Sequence, residues 1–463
     1  MIGEGQRRVR LAELVAALSL GIDLGFSQPM EHVLRQCLIA LRLADLLELD
    51  EETKLTAYYT ALLVNVGCHS DAHEQAKWFG DDIALKADKY EHDLRSFSAM
   101  ASGLRMLGAG SPVLQRFRIG AEFALYGHRE LDDMITHHSQ MARRLAEQLR
   151  LPESVIDAVS CAYEQWDGRG WPGERSGNEV PLPTRLATIG EFVEVAYRVG
   201  GIDAAIGLAR ERRGRHFDPQ LSDLLCADPK AVLSGLESVG AWDAVIDAEP
   251  ALRILLTDDE FDAALSAIAD FVDLKSPYTL GHGRALASLA QQAAAALGMS
   301  SEEQQTLMRA GLAQGLGRLG VSNSIWEKKG PLGSGEWERV RLHPYLTDRM
   351  LRQSQALAPL GAIVAQHRER LDGSGYPQGL SRGAISRAAL ILGAADAYQA
   401  MRSTFPQADT MSWSPSPSTS PAKTDLAPLA EVERVRAVQT GGRALLFSYH
   451  AILLSLIEAD RTS

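Results

Sequence analysis

The sequence has no long apolar run, no paired cysteine motif and no excess of basic residues. No stretch approaches the roughly 18 consecutive apolar residues of a transmembrane helix, and no apolar segment follows the basic residues near the N-terminus. We therefore expect neither a membrane span nor a signal peptide. The cysteines are scattered without a Cys-x-x-Cys pair, which argues against a zinc ribbon or a disulfide framework and favours a reducing cytoplasm. They are Cys37, Cys68, Cys161 and Cys226.

Acidic residues outnumber basic ones. With 47 Lys and Arg against 59 Asp and Glu, the formal charge is −12, and the pI is about 5.5. Nucleic-acid binding needs clustered Lys and Arg to neutralise phosphates, so DNA and RNA are not expected partners of this chain. The 46% hydrophobic and 23% charged residues are ordinary for a globular protein, and 463 residues are enough for about two to three domains.

Apolar residues recur at helical spacing along most of the chain, and alternating strand patterns are scarce. Because Ala and Leu also dominate, the predicted fold class is all-α, with two tandem helical bundles. The predicted segments are a first domain at 9–238, a connector at 239–257, a second domain at 258–403, a disordered low-complexity linker at 404–426 and a short C-terminal helical tail at 427–463. We call the two domains the first half and the second half.

The two halves repeat the same residue types in the same order. At a shift of 205 residues the matching pairs are His138 and His343, Glu164 and Glu369, Asp167 and Asp372, Gly168 and Gly373, Gly170 and Gly375, Pro172 and Pro377, and Glu191 and Asp396. At a shift of 250 residues the pairs are His32 and His282, and Gly67 and Gly317. The difference of 45 residues falls between Gly67 and His138. The pattern therefore indicates a duplication, with an insertion of about that length in the first half.

Four candidate metal ligands in the second half lie on separate predicted helices or helix ends: His282, His343, His367 and Asp396. Such residues can converge in a helical bundle, and imidazole and carboxylate groups suit iron, manganese or zinc. The competing interpretation is that each is a helix cap or an ordinary buried polar contact. His367 also opens a stretch that ends in Tyr376-Pro377, where glycines permit tight turns and the proline restricts the tyrosine.

The second half resembles an HD-GYP domain, the bacterial branch of the HD metal-dependent phosphohydrolases that hydrolyses cyclic di-GMP. The resemblance covers about residues 260–403 and depends on an ordered series of motifs. They are Ser-Pro-Tyr-Thr-Leu-Gly-His at 276–282, Leu-Gly-Arg-Leu-Gly-Val at 316–321, Leu-His-Pro-Tyr at 342–345, the stretch from His367 to Pro377, and Ala-Ala-Asp-Ala-Tyr at 394–398. The first half, over about 20–225, is similar to a divergent copy, marked by Asp-Gly-Arg-Gly-Trp-Pro at 167–172 and His-Phe-Asp-Pro at 216–219.

The resemblance implies two metal ions that are bridged by the aspartate of a His-Asp pair and activate a water for attack on phosphorus, with a lysine nearby to neutralise the phosphate. The family's ligand positions carry over to His282, His343, His367 and Asp396, and Arg318 stands at the lysine position. The implied ligand-binding residues are Arg368, Asp372, Gly373, Gly375, Tyr376 and Pro377.

Three departures from the family pattern affect this site. Gln314-Gly315 stands in place of the His-Asp pair, Arg318 replaces the lysine, and Arg368 replaces the second histidine of a His-His pair. Glycine supplies no ligand atom, and two cations repel strongly without a shared anion, so we do not expect a dinuclear centre. The expected cofactor is at most one divalent ion, iron or manganese, with partial occupancy or none.

In the first half, Val64-Asn65 replaces the His-Asp pair and Ala162-Tyr163 replaces the His-His pair. His32, His138 and Glu191 are left as remnants, and we do not expect them to form a metal site.

Three functions stay open from the sequence. The first is a regulatory protein that senses a cyclic dinucleotide or binds a signalling protein without catalysis. The alternative is a phosphohydrolase, or cyclic di-GMP phosphodiesterase, with a reduced metal site. The third is the sensor part of a LuxR-type transcriptional regulator, although residues 427–463 offer no convincing recognition helix. A homodimer is also possible on this reasoning.

Overall fold

The computed structural model describes residues 9–91, 97–237, 240–250 and 254–402. Within these ranges the chain forms helices and three isolated β-bridges, with no strand. The predicted all-α class is therefore confirmed. The expected linker at 404–426 and the tail at 427–463 lie outside the described residues.

The described residues of the first half form α-helices α1 to α12, the last of them short. They are α1 Leu11–Gly25, α2 His32–Leu46, α3 Glu51–Leu63, α4 Ala72–Phe79, α5 Asp82–Ala87, α6 Phe97–Met106, α7 Val113–Glu122, α8 His128–Gln148, α9 Glu153–Ser160, α10 Leu182–Arg212, α11 Pro219–Ala227 and the short α12 Pro229–Leu233. A 3-10 turn at Val66–His69 follows α3, and another at Asp88–Tyr90 follows α5.

The remaining helices belong to the connector and the second half. They are α13 Ala241–Asp247, α14 Asp258–Asp273, α15 His282–Ala296, α16 Ser301–Ala313, α17 Asn323–Trp326, α18 Ser334–Leu351, α19 Ala358–Val364 and α20 Arg387–Arg402. A 3-10 turn at Leu316–Gly320 follows α16. Among the described helices, none combines the length and the apolar character that a membrane crossing requires.

Local sequence signals explain where several helices begin. Ser300 caps α16: its hydroxyl accepts the Glu303 N–H at 3.3 Å, and the Glu303 carboxylate accepts the Ser300 N–H at 2.8 Å. Thr257 and Glu260 form the same reciprocal pair at the start of α14. Each pair satisfies backbone donors that a helix end leaves free and so stabilises the helix start.

The helix α1 lies between the halves. It is buried along almost its whole length, and it packs on α2 and α3 of the first half and on Leu316–Gly320 of the second. A Cβ on Gly21 would lie 2.9 Å from the Leu319 side chain, so a glycine permits this close approach. The first half makes the reciprocal contact with the second. His69 lies in the turn that follows α3, and its Nε2 donates to the Phe271 carbonyl of α14 at 3.0 Å. Each half thus presents the turn after its third core helix to the first helix of the other half.

The connector is packed on the first half. Ala241, Trp242 and Val245 of α13 are buried, and α13 lies on α2. Glu249 forms an ion pair with Arg10 and accepts a hydrogen bond from the Tyr59 hydroxyl at 2.7 Å. The segment 240–250 is therefore an ordered part of the bundle.

The segment from α4 to α7, which the sequence predicts to be an insertion in the first half, also contacts the second half. The His73 Nδ1 lies 2.5 Å from the Glu327 carboxylate, just after α17. Asp82 of α5 is buried against residues of the second half. This segment therefore contacts the second half at both α4 and α5.

Candidate functional site

The stretch from His367 to Pro377 folds as a compact turn around Glu369. The Glu369 carboxylate accepts the backbone N–H groups of Gln378 at 2.7 Å and Leu380 at 2.8 Å. A Cβ on Gly375 would lie 2.4 Å from the Arg370 nitrogen and the Glu369 Cα, so only glycine fits there. The turn holds the Tyr376 ring with its centroid 6.2 Å from that of His343.

The four candidate ligands come together from four parts of the second half. His282 begins α15, His343 lies in α18, His367 follows α19, and Asp396 lies in α20. The His282 Nε2 lies 2.9 Å from the Asp396 Oδ1, and the His343 and His367 ring centroids are 5.7 Å apart. All four are buried. The sequence therefore identified side chains that share one buried centre.

Backbone carbonyls orient two of the histidines. The His343 Nδ1 donates to the Val340 carbonyl at 2.7 Å, and the His367 Nδ1 donates to the Val364 carbonyl at 2.6 Å. In each neutral ring the Nε2 is then left as an acceptor. The His343 Nε2 is buried and has no hydrogen-bond partner within the described part of the chain.

Arg368 occupies the centre of this group. Its guanidinium forms an ion pair with the Asp396 Oδ2, and its Nε donates to the His367 Nε2 at 3.2 Å. One arginine thereby contacts two of the four candidate ligands. Its side chain is only 14% exposed, so solvent screens the pair weakly.

The charges set the protonation of the site. Burial raises the pKa of Asp396, but Arg368 and His282 outweigh it and hold that pKa well below its usual range. Burial, followed by the charge of Arg368, lowers the pKa of His367 to about 4 and that of His343 well below its usual value. At neutral pH the centre therefore combines a carboxylate, a guanidinium and two neutral imidazoles.

The positions of the missing His-Asp pair contribute little to this centre. Gln314 is buried, and its Oε1 has no hydrogen-bond partner among the described residues. A Cβ on Gly315 would lie 3.0 Å from the Val272 side chain. The Arg318 guanidinium lies over the Trp326 ring, 4.8 Å from its centroid, and burial lowers its pKa.

The residues present do not fit a metal ion. Arg368 already contacts His367 and Asp396, and Gly315 has no side-chain carboxylate with which to bridge two ions. In the part of the chain that the structure describes, no three His, Cys, Asp or Glu side chains are arranged to hold a metal.

The other predicted ligand-binding residues have structural contacts of their own. The exposed Asp372 accepts the Ser374 N–H at 2.9 Å and so caps the turn. Gly373 has φ of 79°, in the region that favours glycine. A cleft beside the centre is lined by Val272, Asp273, Lys275, Ser276, Thr279, Arg318, Asn323 and Trp326. Sequence reasoning missed the role of Glu369, although its match with Glu164 was a signal.

The fold and these motifs define an HD-type helical domain, and the comparisons agree. The model of the HD domain family matches residues 127–221 and 266–416, more than half of the chain. The chain belongs to this family.

A sequence comparison and a structure comparison with Vibrio cholerae illustrate the similarity. The chain is 30% identical over 407 residues to the 3′3′-cGAMP-specific phosphodiesterase 3. The aligned region covers 87% of this chain and 88% of that protein. A crystal structure of a cyclic GMP-AMP specific phosphodiesterase of the same organism aligns with a TM-score of 0.62 and 25% identity, over 97% of this chain and 98% of that one.

A cyclic di-GMP phosphodiesterase of Pseudomonas aeruginosa is 31% identical over 56% of this chain and 59% of its own length. These relatives are named as phosphodiesterases. Their names favour the phosphodiesterase alternative over the purely regulatory interpretation of the sequence.

Proposed function

We propose that this chain acts on a cyclic dinucleotide, bound at the second-half centre beneath the turn that carries Tyr376. The similarity to the 3′3′-cGAMP-specific phosphodiesterase 3 over nearly the whole chain carries this proposal. The chemistry of the centre is compatible with it. Guanidinium groups such as Arg318 suit phosphodiester anions, and an aromatic ring such as Tyr376 offers a face for a base.

Hydrolysis of a phosphodiester bond is the outcome that the relatives' names favour. Its test is incubation of the purified chain with 3′3′-cGAMP and with cyclic di-GMP, with and without added manganese or iron, followed by chromatography for linear products. We expect turnover that disappears in His343→Ala. Turnover that persists in His343→Ala would place the activity elsewhere, in a contaminant or in another part of the chain.

A second candidate, binding without hydrolysis, is favoured by one observation. The ion pair between Arg368 and Asp396 engages the carboxylate that the family resemblance assigns to a metal. Calorimetric titration of the same preparation with the same nucleotides separates the two candidates. Saturable binding with no linear product supports the second, and no binding to either nucleotide removes both.

We also propose that the halves are two copies of one bundle, with the boundaries predicted from the sequence. Equivalent glycines support this. A Cβ on Gly67 would lie 2.0 Å from the His138 carbonyl oxygen, and one on Gly317 would lie 2.0 Å from that of His343. Glu164 likewise accepts N–H groups of the first-half turn, as Glu369 does in the second. The signalling-protein partner and the homodimer stay predictions.

A further inference from the structure

The centre of the first half contains a buried carboxylate, Glu191, at the position that matches Asp396. It is 4% exposed. Its Oε1 lies 2.9 Å from the Asn65 Nδ2 and 3.1 Å from the Tyr90 hydroxyl. The same oxygen lies 2.5 Å from the Nζ of Lys89. Burying an unpaired carboxylate is costly, so one of these contacts must supply positive charge, and Lys89 does.

The Lys89 ammonium has a complete set of contacts. Besides Glu191 it donates to the Asn65 Oδ1 at 2.7 Å. It also lies 4.4 Å from the ring centroid of Phe26 and 5.0 Å from that of Tyr90. The Phe192 ring centroid is 6.0 Å away. A carboxylate, an amide oxygen and three aromatic rings thus surround a single positive charge. Burial raises the pKa of Glu191, but the charge and hydrogen bond of Lys89 and the hydrogen bond from Asn65 together outweigh burial, so that pKa lies below its usual range.

Lys89 comes from the inserted segment, which has no counterpart in the second half. It lies in the 3-10 turn Asp88–Tyr90, directly after α5. Asp82 of α5 anchors this segment on the second half, where it accepts hydrogen bonds from Lys275 at 3.2 Å and Ser322 at 2.8 Å. The insertion is therefore held at one end by the second half while Lys89 enters the centre of the first.

The two halves neutralise matching carboxylates with cations from unmatched positions. Asp396 pairs with Arg368, but the residue that matches Arg368 in the first half is Tyr163. Glu191 pairs instead with Lys89. Each centre requires a cation because it contains a buried carboxylate. The cation comes from a different position in each half, so neither cation is a consequence of the repeated motif.

We infer that the Lys89 ammonium occupies a cation site of the first half formed by Glu191, Asn65 and His32, and that it excludes a divalent metal from that site. The His32 imidazole faces the same centre, since its Nε2 lies 3.3 Å from the Tyr90 hydroxyl that also contacts Glu191. Carboxylate, amide oxygen and imidazole are ligands that manganese and cobalt accept. This inference does not depend on what the second half binds.

The test removes the ammonium and measures metal uptake. Wild-type chain and Lys89→Ala are dialysed against Mn²⁺ or Co²⁺, and bound metal is quantified by mass spectrometry and, for cobalt, by its visible absorption. We expect about one more ion per chain in Lys89→Ala than in wild type. The extra ion disappears in Lys89→Ala/Glu191→Gln.

Lys86→Ala is the matched control. Lys86 is also a buried lysine of the insertion, but it pairs with Asp82 at 2.9 Å and not with Glu191. It should take up no additional ion. Lys89→Arg, which keeps a cation, should behave like wild type.

If Lys89→Ala is too unstable to dialyse, thermal unfolding with and without Mn²⁺ provides a second test. Lys89→Gln is a milder substitution for the same measurement. The melting temperature of either Lys89 variant should rise with Mn²⁺, whereas that of wild type should not. Folded Lys89 variants that show neither extra bound metal nor a rise in melting temperature with Mn²⁺ would overturn the inference. It would also be overturned if the wild type itself bound an ion and Glu191→Gln abolished that binding.

Discussion

Replacing Arg368 with methionine removes the cation of the second-half centre and keeps much of the side-chain volume. Asp396, which is 1% exposed, then keeps its 2.9 Å contact with His282, the more distant His367 and the charge of the nearby Arg318 as sources of compensation, but it loses its direct ion pair. Breaking a buried ion pair on one side costs about 3–5 kcal/mol, because it leaves a charge without a partner in a medium that solvates it poorly. We expect a loss of that size in the free energy of unfolding at neutral pH.

The loss should depend on pH in a defined direction. In the wild type the pKa of Asp396 lies well below its usual range, so its contribution to stability is present at neutral pH and is lost only as pH falls through the low folded pKa. In Arg368→Met the pKa of Asp396 rises, and the carboxyl can take a proton in mild acid. The difference between the two proteins should therefore be largest at neutral pH and should shrink as the solution is acidified.

Urea denaturation followed by circular dichroism, at neutral pH and in mild acid, measures both quantities. Arg284→Met is the matched control, since Arg284 pairs with Asp270 at the surface, where both side chains are at least one-third exposed, and such a pair contributes at most about 1 kcal/mol. Arg368→Met/Asp396→Asn should recover part of the loss. A loss in Arg368→Met no greater than that in Arg284→Met would refute the reasoning.

Three further predictions concern the same half. His367 has a folded pKa of about 4, below its unfolded value of about 6.5, so the unfolded state takes up a proton first as the pH falls. The free energy of unfolding should therefore decrease by about 2 kcal/mol from about pH 7 to about pH 5. His367→Gln should flatten this part of a profile of unfolding free energy against pH. Gly317→Ala should cost about 3 kcal/mol, because its Cβ would meet the His343 carbonyl, whereas Gly335→Ala, with open space around it, should leave the melting temperature unchanged or raise it. Glu369→Gln should cost about 1–2 kcal/mol and weaken cyclic-dinucleotide affinity in calorimetry; an equal loss of affinity in Glu164→Gln of the first half would contradict this assignment.

Much of the fold follows from local sequence signals. Helical spacing of apolar residues, the dominance of Ala and Leu, and scarce strand patterns predicted an all-α chain, because these signals act over one or two helical turns. The ordered histidines and the Gly-Tyr-Pro turn likewise marked the second-half centre. The resemblance they carry was confirmed by the family comparison.

The sequence by itself determined the helices and the types of side chain on them, including the loss of the His-Asp pair at Gln314-Gly315. Only the tertiary structure decided which cation neutralises each buried carboxylate. Lys89 and Glu191 are far apart in the chain, and Lys89 lies in an irregular insertion whose residue pattern predicts no role. The physical reason is that burial makes the pairing of a charge obligatory, whereas the identity of its partner depends on which segments the packed helices bring within contact distance.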